Sequence, residues 1–338
     1  MNKKIARTLA GVMSLLLLER VAIFKDSSAE NVLKTDIVTS STENILSDMM
    51  ASATEFVLSE GDYNQIHWAV TADHTLLLSP KEGATTAAID DFYETYTNPD
   101  PLVQPHETEM SMDTPWHDYL SEITAVQVQD GITSIGDYAF YNLYALKDIY
   151  MADSVTRIGR YAFQGTAAET IRFSENLTSI NASAFSGCQF SSLVLPDSVT
   201  SIGASAFQNC SSLTHMDLSR NLTKIGDSAF YGCTALTGIS FPEGLVSIGQ
   251  FAFRDCTSLQ ELLLPDSLTE LSKGSFYSCA SLTAVTFGTG LTEIPWQCFS
   301  GCSSLTQIVL DGNIVAIGNT AFQDCAALSY VFLGASVG

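Results

Sequence analysis

Cysteine is the residue in this 338-residue chain with the widest chemistry open to it, and there are eight of them. Cysteines of an exported chain form disulfides, and cysteines two to four residues apart hold zinc. The spacing here favours neither. Cys188, Cys210, Cys233, Cys256, Cys279, Cys302 and Cys325 follow one another at steps of 22 or 23 residues. Leu143 and Thr166 hold the same place earlier in the chain. A position that accepts Cys, Leu and Thr is a packing position, where a free thiol acts as a small buried hydrophobe. Cys298 stands where alanine usually stands, which fits the same reading. Structural free thiols are therefore expected, with disulfides and a metal site as the alternatives. Cys298 and Cys302 have zinc-like spacing, but no histidine lies near them in sequence.

The remaining chemistry is sparse. Of five histidines, His67, His74, His106 and His117 precede residue 129, and His215 stands alone later. His106 with Glu107 and Glu109 has donors for a metal, yet a solvated acidic loop explains them more simply. No H-E-x-x-H, phosphate-binding glycine loop, dinucleotide fingerprint or G-x-S-x-G elbow occurs. No catalytic residue, metal or cofactor is expected. Asn176, Asn209 and Asn221 begin N-x-S/T sequons, but these arise from a repeated consensus.

That consensus is the dominant feature of the chain. A phenylalanine preceded by a small residue recurs at 140, 163, 185, 207, 230, 253, 276, 299 and 322. Each step is 23 residues, apart from two of 22 on either side of Phe185. In the copy Val199–Asn221, apolar residues one to four apart (Val199, Ile202, Ala206, Phe207, Cys210, Leu213) predict a short helical or irregular segment with one buried side. Met216 and Leu218 then alternate with polar His215 and Asp217, the period of a half-buried strand. Proline follows several of these strands (Pro196, Pro242, Pro265) and ends them, because it cannot donate to a ladder. One such unit cannot bury its own apolar side, but stacked units bury it against one another. The fold class expected is a repeat solenoid: a leucine-rich-repeat array with a parallel sheet on one side, short helical or irregular segments on the other, and a buried phenylalanine column.

The constant positions build the array, so only the variable ones can carry function. The outward strand positions are Tyr150, Arg172, Val194, Asp217, Ser240, Leu263, Thr286, Val309 and Phe332. Two residues before them stand Asp148, Thr170, Ser192, His215, Gly238, Glu261, Ala284, Gln307 and Tyr330. Apolar residues in a solvent-facing row mark a contact surface. The candidate binding residues are Tyr150, Arg172, Val194, His215, Asp217, Glu261, Leu263, Val309, Tyr330 and Phe332. The plainer explanation of the row is that β-forming residues suit a strand.

Around the array, residues 1–29 have the layout of a secretory signal peptide: Lys3, Lys4 and Arg7, an apolar run from Leu9 to Leu18, and small residues at Ser27-Ser28-Ala29. Glu19 and Arg20 interrupt it, and an amphipathic helix is the alternative. That run is too short to span a membrane. Residues 30–55 read as a linker. Residues 56–128 read as an N-terminal unit: a β-hairpin from Gln65–Val70 and Thr75–Ser79, an acidic loop over 80–115, and a degenerate capping repeat in which Ile123, Val126 and Val128 precede Leu146, Ile149 and Met151 by 23 residues. Residues 129–338 hold the nine copies. A net charge of −22 lacks the basic footprint that nucleic acid needs and disfavours anionic membranes.

The blocks ITSIGDYAF, VTSIGASAFQNCSSL and LVSIGQFAFRDCTSL resemble the BspA-like leucine-rich repeats, and the resemblance extends over roughly residues 60–338. Asn181, Ser272 and Pro295 depart from it, standing where glycine usually follows Ile or Leu. The resemblance implies an exported or surface-displayed bacterial protein. Its expected partner is a host or microbial surface protein or glycan, bound along the sheet. The alternative is a structural spacer or scaffold in a larger surface protein.

Overall fold

The structure is a computed structural model, and it describes residues 57–92, 114–310 and 313–333. The expected signal peptide, the linker and the His106-Glu107-Glu109 cluster lie outside the described residues.

The chain enters through β1 (Val57–Tyr63), β2 (Ile66–Thr71) and β3 (Thr75–Pro80), an antiparallel meander. The expected hairpin is β2–β3; β1 adds a third strand. Its residues alternate between half-buried and exposed, so it lacks the apolar signature of a strand. β3 then pairs in parallel with β4 (Ala125–Val128), and β4 pairs with Asp148–Met151, setting Val126 beside Ile149 and Val128 beside Met151. The meander thus joins the sheet of the array edge to edge. Trp116 takes the phenylalanine's role in this first, degenerate coil: its buried ring lies 5.7 Å from Phe140.

Residues 81–92 do not hang free as an acidic loop. Ala87 and Ile89 donate their N–H groups to Gly131 and Ser134, and Phe92 donates to Asp137. Ala87, Ile89 and Phe92 are buried, so this segment forms an extra rung before the first full coil. The fit is tight, since a Cβ on Gly136 would collide with the Asp90 carbonyl. Too few aliphatic residues mark the segment for its pattern to show.

From there each coil contributes to two sheets. The long-strand sheet carries the outward columns. It runs from β1 to Thr170–Arg172, resumes with Ser192–Val194 and His215–Asp217, and resumes again from Glu261–Leu263 to Tyr330–Leu333. A second ladder, unexpected from sequence, is built from two-residue strands such as Ser201–Ile202 and Lys224–Ile225. It continues without a break from Ser134–Ile135 to Glu270–Leu271.

The remaining side of the array is irregular, and among the described residues its one helical turn is the 3-10 segment His117–Tyr119 of the degenerate first coil. Two positions per coil explain why. The residue two before each phenylalanine has positive φ (Tyr138, Tyr161, Ser183, Ser205, Ser228, Phe251), as does the residue two after it (Asn142, Gly165, Gly187, Asn209, Gly232, Asp255). Left-handed residues at such short intervals break a right-handed helix. They turn alternate N–H groups toward the next coil instead: Phe207 donates to Ala229 and Phe230 to Ala252. Inside, the phenylalanines stack face to face from Phe140 to Phe322, with centroids 4.9 Å apart at Phe140–Phe163 and 5.7 Å at Phe299–Phe322.

Candidate binding surface

All ten residues expected to face solvent are exposed, while Ile149, Leu193, Met216, Leu262 and Ile308 between them are buried. Strand alternation is the cause: successive side chains leave a strand on opposite faces, and the inner face fills with coil neighbours. Val194 and Leu263 keep 67% and 69% of their surface accessible, a large exposure for aliphatic side chains.

The structure gathers the ten into three groups. Arg172 lies over the Tyr150 ring at 5.0 Å, bonds the Met151 carbonyl at 2.6 Å and pairs with Asp153 at 3.2 Å, so its guanidinium is held in place. Val194, His215 and Asp217 form the second group, with the His215 ring 3.0 Å from Asp217. Glu261, Leu263, Val309, Tyr330 and Phe332 form the third. Within it the ladder places Leu263 beside Thr286, Thr286 beside Val309 and Val309 beside Phe332, which makes one row across four strands.

The interruptions between the groups have readable causes. In the two 22-residue copies the missing residue lies between the Cys/Thr position and the strand. Ala168 and Phe190 fill the place that Leu213 fills elsewhere, and Phe190 packs edge-on against Phe185 at 5.8 Å. The ladder is broken between Thr170–Arg172 and Ser192–Val194. A cavity of about 540 Å³ opens there, lined by Arg172, Phe173, Val194, Pro196, Asp217 and Arg220 among others. The second interruption falls at Gly238, where a strand without a side chain is weakened.

The acidic residues beside this face are structural. The Asp153 and Asp197 carboxylates accept the backbone N–H of Glu175 and Arg220 in the next coil, and these bonds hold both carboxyls below the usual carboxylate range. Asp266 does the same with Thr289. The thiols are structural as well. Cys210 donates to the Phe185 carbonyl at 3.2 Å and Cys233 to the Phe207 carbonyl at 3.2 Å, each tying its coil to the one before. All eight are free, and among the described residues no cluster of His, Cys, Asp and Glu is arranged to hold a metal.

Nine stacked coils, the glycine and left-handed residues of their turns, and the AF-x-x-C column coincide with a known repeat. The sequence model of the BspA type leucine rich repeat region, in six copies, matches residues 133–244 and 223–338. The chain belongs to this family. Solved structures similar to it include a leucine-rich repeat protein from Bacteroides ovatus ATCC 8483 (25% identity, 82% of this chain and 89% of that one, TM-score 0.46). Another comes from Eubacterium ventriosum ATCC 27560 (24% identity, 80% and 83%, TM-score 0.43). A third is a leucine rich cell surface protein from Faecalibacterium prausnitzii A2-165 (21% identity, 81% and 94%, TM-score 0.35). No curated protein matches the chain. BspA-type arrays are in general not enzymes, and the fold suggests protein interaction or scaffolding. No helix among the described residues is long and apolar enough to cross a membrane.

Two sets of residues outside the outward strand columns are not found by sequence reasoning, and burial differs among them: Arg220 and Trp296 are exposed, Arg254 and Lys273 half-buried, and Pro196 buried. Arg220 and Pro196 line the cavity just past the strand ends, outside the two columns that were read. Arg254, Lys273 and Trp296 stand on the turn side, which was read only for its buried positions. Comparing outward positions there from copy to copy is the signal that finds them.

Proposed function

We propose that this chain is an exported or surface-displayed binding module that engages a protein or glycan through the outward face of its long-strand sheet. The observation that carries this reading is the row of fixed, exposed apolar and aromatic side chains on that face. Leu263 and Val194 are more than 60% exposed, and each lies on a strand that pairs in parallel with the following coil, Leu263 beside Thr286 and Val194 beside Asp217. Folding gains nothing from leaving them in water, whereas a partner that covers them gains about 25 cal/mol per Å² of apolar surface. The Tyr150–Arg172 stack and the cavity beside Val194 add a preorganised cation and a concave seat, both of which favour a specific contact. Export is supported by the layout of residues 1–29.

The test is substitution of the face without disturbance of the core. Tyr150, Leu263, Val309 and Phe332 are replaced by Ser, and retention is measured on purified extracellular proteins and glycans that the unaltered chain binds. We expect at least a tenfold loss. Unchanged retention removes this face as the binding site. A spacer or scaffold is the second reading, supported by the uninterrupted phenylalanine stack; it predicts that the face substitutions change no binding property of the chain.

A further inference from the structure

The turn side carries a second patch that the sheet-face reading does not use. Three outward positions flank each buried phenylalanine: three before, two before and one after. In the coils around Phe185 and Phe207 these are Ala182, Ser183 and Ser186, then Ala204, Ser205 and Gln208. The first two coils carry Tyr138, Tyr141, Arg160 and Tyr161 in these columns, and rings and cations return from the coil of Phe230 onward. Tyr231, Phe251, Arg254, Lys273, Tyr277 and Trp296 occupy the same three columns over four consecutive coils.

These six side chains form one assembly. The Arg254 guanidinium lies 5.0 Å from the Tyr277 ring centre, 5.4 Å from Tyr231 and 5.5 Å from Phe251. The Lys273 ammonium lies 3.7 Å from the Trp296 ring centre and 5.3 Å from Phe251. Among the described residues Lys273 has no carboxylate partner, in a chain of net charge −22. Trp296 is 46% exposed, and its indole N–H is anchored on the Thr320 hydroxyl at 2.9 Å.

The array does not need these residues. Serine serves at the position of Phe251 in three other coils and tyrosine in two, and Phe251 sits there at φ +53°, a conformation that bulky side chains rarely adopt. Strain kept where a cheaper residue folds equally well points to a use for that residue. Ring faces held next to cations form an apolar platform whose unpaired positive charge is Lys273, Arg254 being paired with Asp255 at 3.4 Å. Rings and cations repeat coil by coil, so the matching ligand is a polymer in which flat apolar faces and anionic groups also repeat.

We propose that this ridge is a second binding site, and that its ligand is an anionic polysaccharide whose sugar faces stack on Trp296 and Tyr277 while its carboxylates or sulfates meet Lys273 and Arg254. The site is independent of the sheet face and stands or falls separately from it.

The experiment uses the full chain and the fluorescence of Trp296. Trp68 and Trp116 are buried, so quenching by added acrylamide reads mainly Trp296. The probes are polygalacturonate, dextran sulfate, neutral dextran and poly-L-glutamate. We expect at least one of the two anionic glycans to protect Trp296 from quenching, in a manner weakened by salt, and neutral dextran and polyglutamate not to do so. The variants Lys273→Ala and Arg254→Gln place at each position a residue that another coil already holds, so both should melt as the unaltered chain does. Combined, they should weaken glycan binding at least tenfold, while Leu263→Ser on the other face leaves it unchanged. Stronger protection by polygalacturonate assigns carboxylate recognition, and stronger protection by dextran sulfate assigns sulfate recognition. The proposal is overturned if neither anionic glycan binds, if neutral dextran or polyglutamate binds as tightly, or if the folded double variant keeps full affinity.

Discussion

At the scale of single residues, the thiol column shows how one side chain serves packing and bonding together. Each thiol is small enough for the core and donates to a phenylalanine carbonyl of the preceding coil, as Cys256 does to Phe230 and Cys279 to Phe253 at 3.2 Å. Burial pushes Cys188 and Cys233 up from 9.0 to about 12 and holds Cys210, Cys256, Cys279 and Cys298 well above the ordinary value. The thiolate is the reactive form, so a buried thiol with a raised pKa is inert. A disulfide-forming colour reagent at pH 8 should therefore find almost no fast thiol in the folded chain. Half-buried Cys325 should react first, and all eight should react in denaturant; a denatured count below eight would mean disulfides. The same shifts set a pH limit. Above about pH 9 the unfolded chain releases protons that the folded chain keeps, so stability is complete below that pH and falls as pH climbs toward 12. The cost is up to about 1.4 kcal/mol per pH unit for each fully buried thiol. Melting temperatures measured between pH 8 and pH 10.5 should fall, and replacing Cys233 by Ala should make the fall less steep.

At the scale of elements, the rung formed by residues 81–92 makes the sharpest demand. Ile89 is buried against the first full coil, and its N–H bonds the Ser134 carbonyl. Ile89→Ala should cost roughly 2–5 kcal/mol, read as a loss of denaturant midpoint and as faster proteolysis of the N-terminal unit. A free acidic loop would show neither effect. This rung also marks what the sequence could carry. The phenylalanine, cysteine and strand columns were legible because identical residues recur in register, and the ten outward residues followed from alternation alone. The ladder of two-residue strands such as Ser201–Ile202 was not legible: a strand of two residues has no period to detect, and coil-to-coil pairing alone creates it. The turn-side ladder was missed because the 3.6-like spacing of its apolar residues imitates a helix, while left-handed φ values at Tyr138, Ser205 or Asn209 leave no mark in an apolar pattern. The cavity beside Val194 arises from one absent residue in each of two copies, and where a chain closes up after a deletion depends on packing. Phe190 shows it, since its ring fills from one residue earlier the space that leucine fills elsewhere.

At the scale of the whole molecule, stability is a sum of coil energies and neighbour contacts, because each coil touches little beyond the coils beside it. The two ends of the described array differ. The first coils are covered by β1–β3, by the rung at 81–92 and by Trp116, whereas Ile317 and Val331 of the last coil are largely exposed although their counterparts Ile294 and Ile308 are buried. Phe322 keeps a ring neighbour on one side only, at Phe299, and is partly buried. An interior phenylalanine such as Phe230 has stacked neighbours on both sides, at 5.5 Å and 5.0 Å. Phe230→Ala should therefore cost about 3–5 kcal/mol, as for a buried aromatic ring in a rigid core, and Phe322→Ala clearly less. Backbone hydrogen exchange should rank the coils in the same order. Amides such as Phe207 and Phe230, which bond to a following coil, should open only with the array, and those of Tyr330–Leu333 should exchange first. Equal costs for the two substitutions, or uniform exchange from end to end, would show a single cooperative block. A gradient would leave the binding faces of the inner coils rigid while the last coil opens on its own.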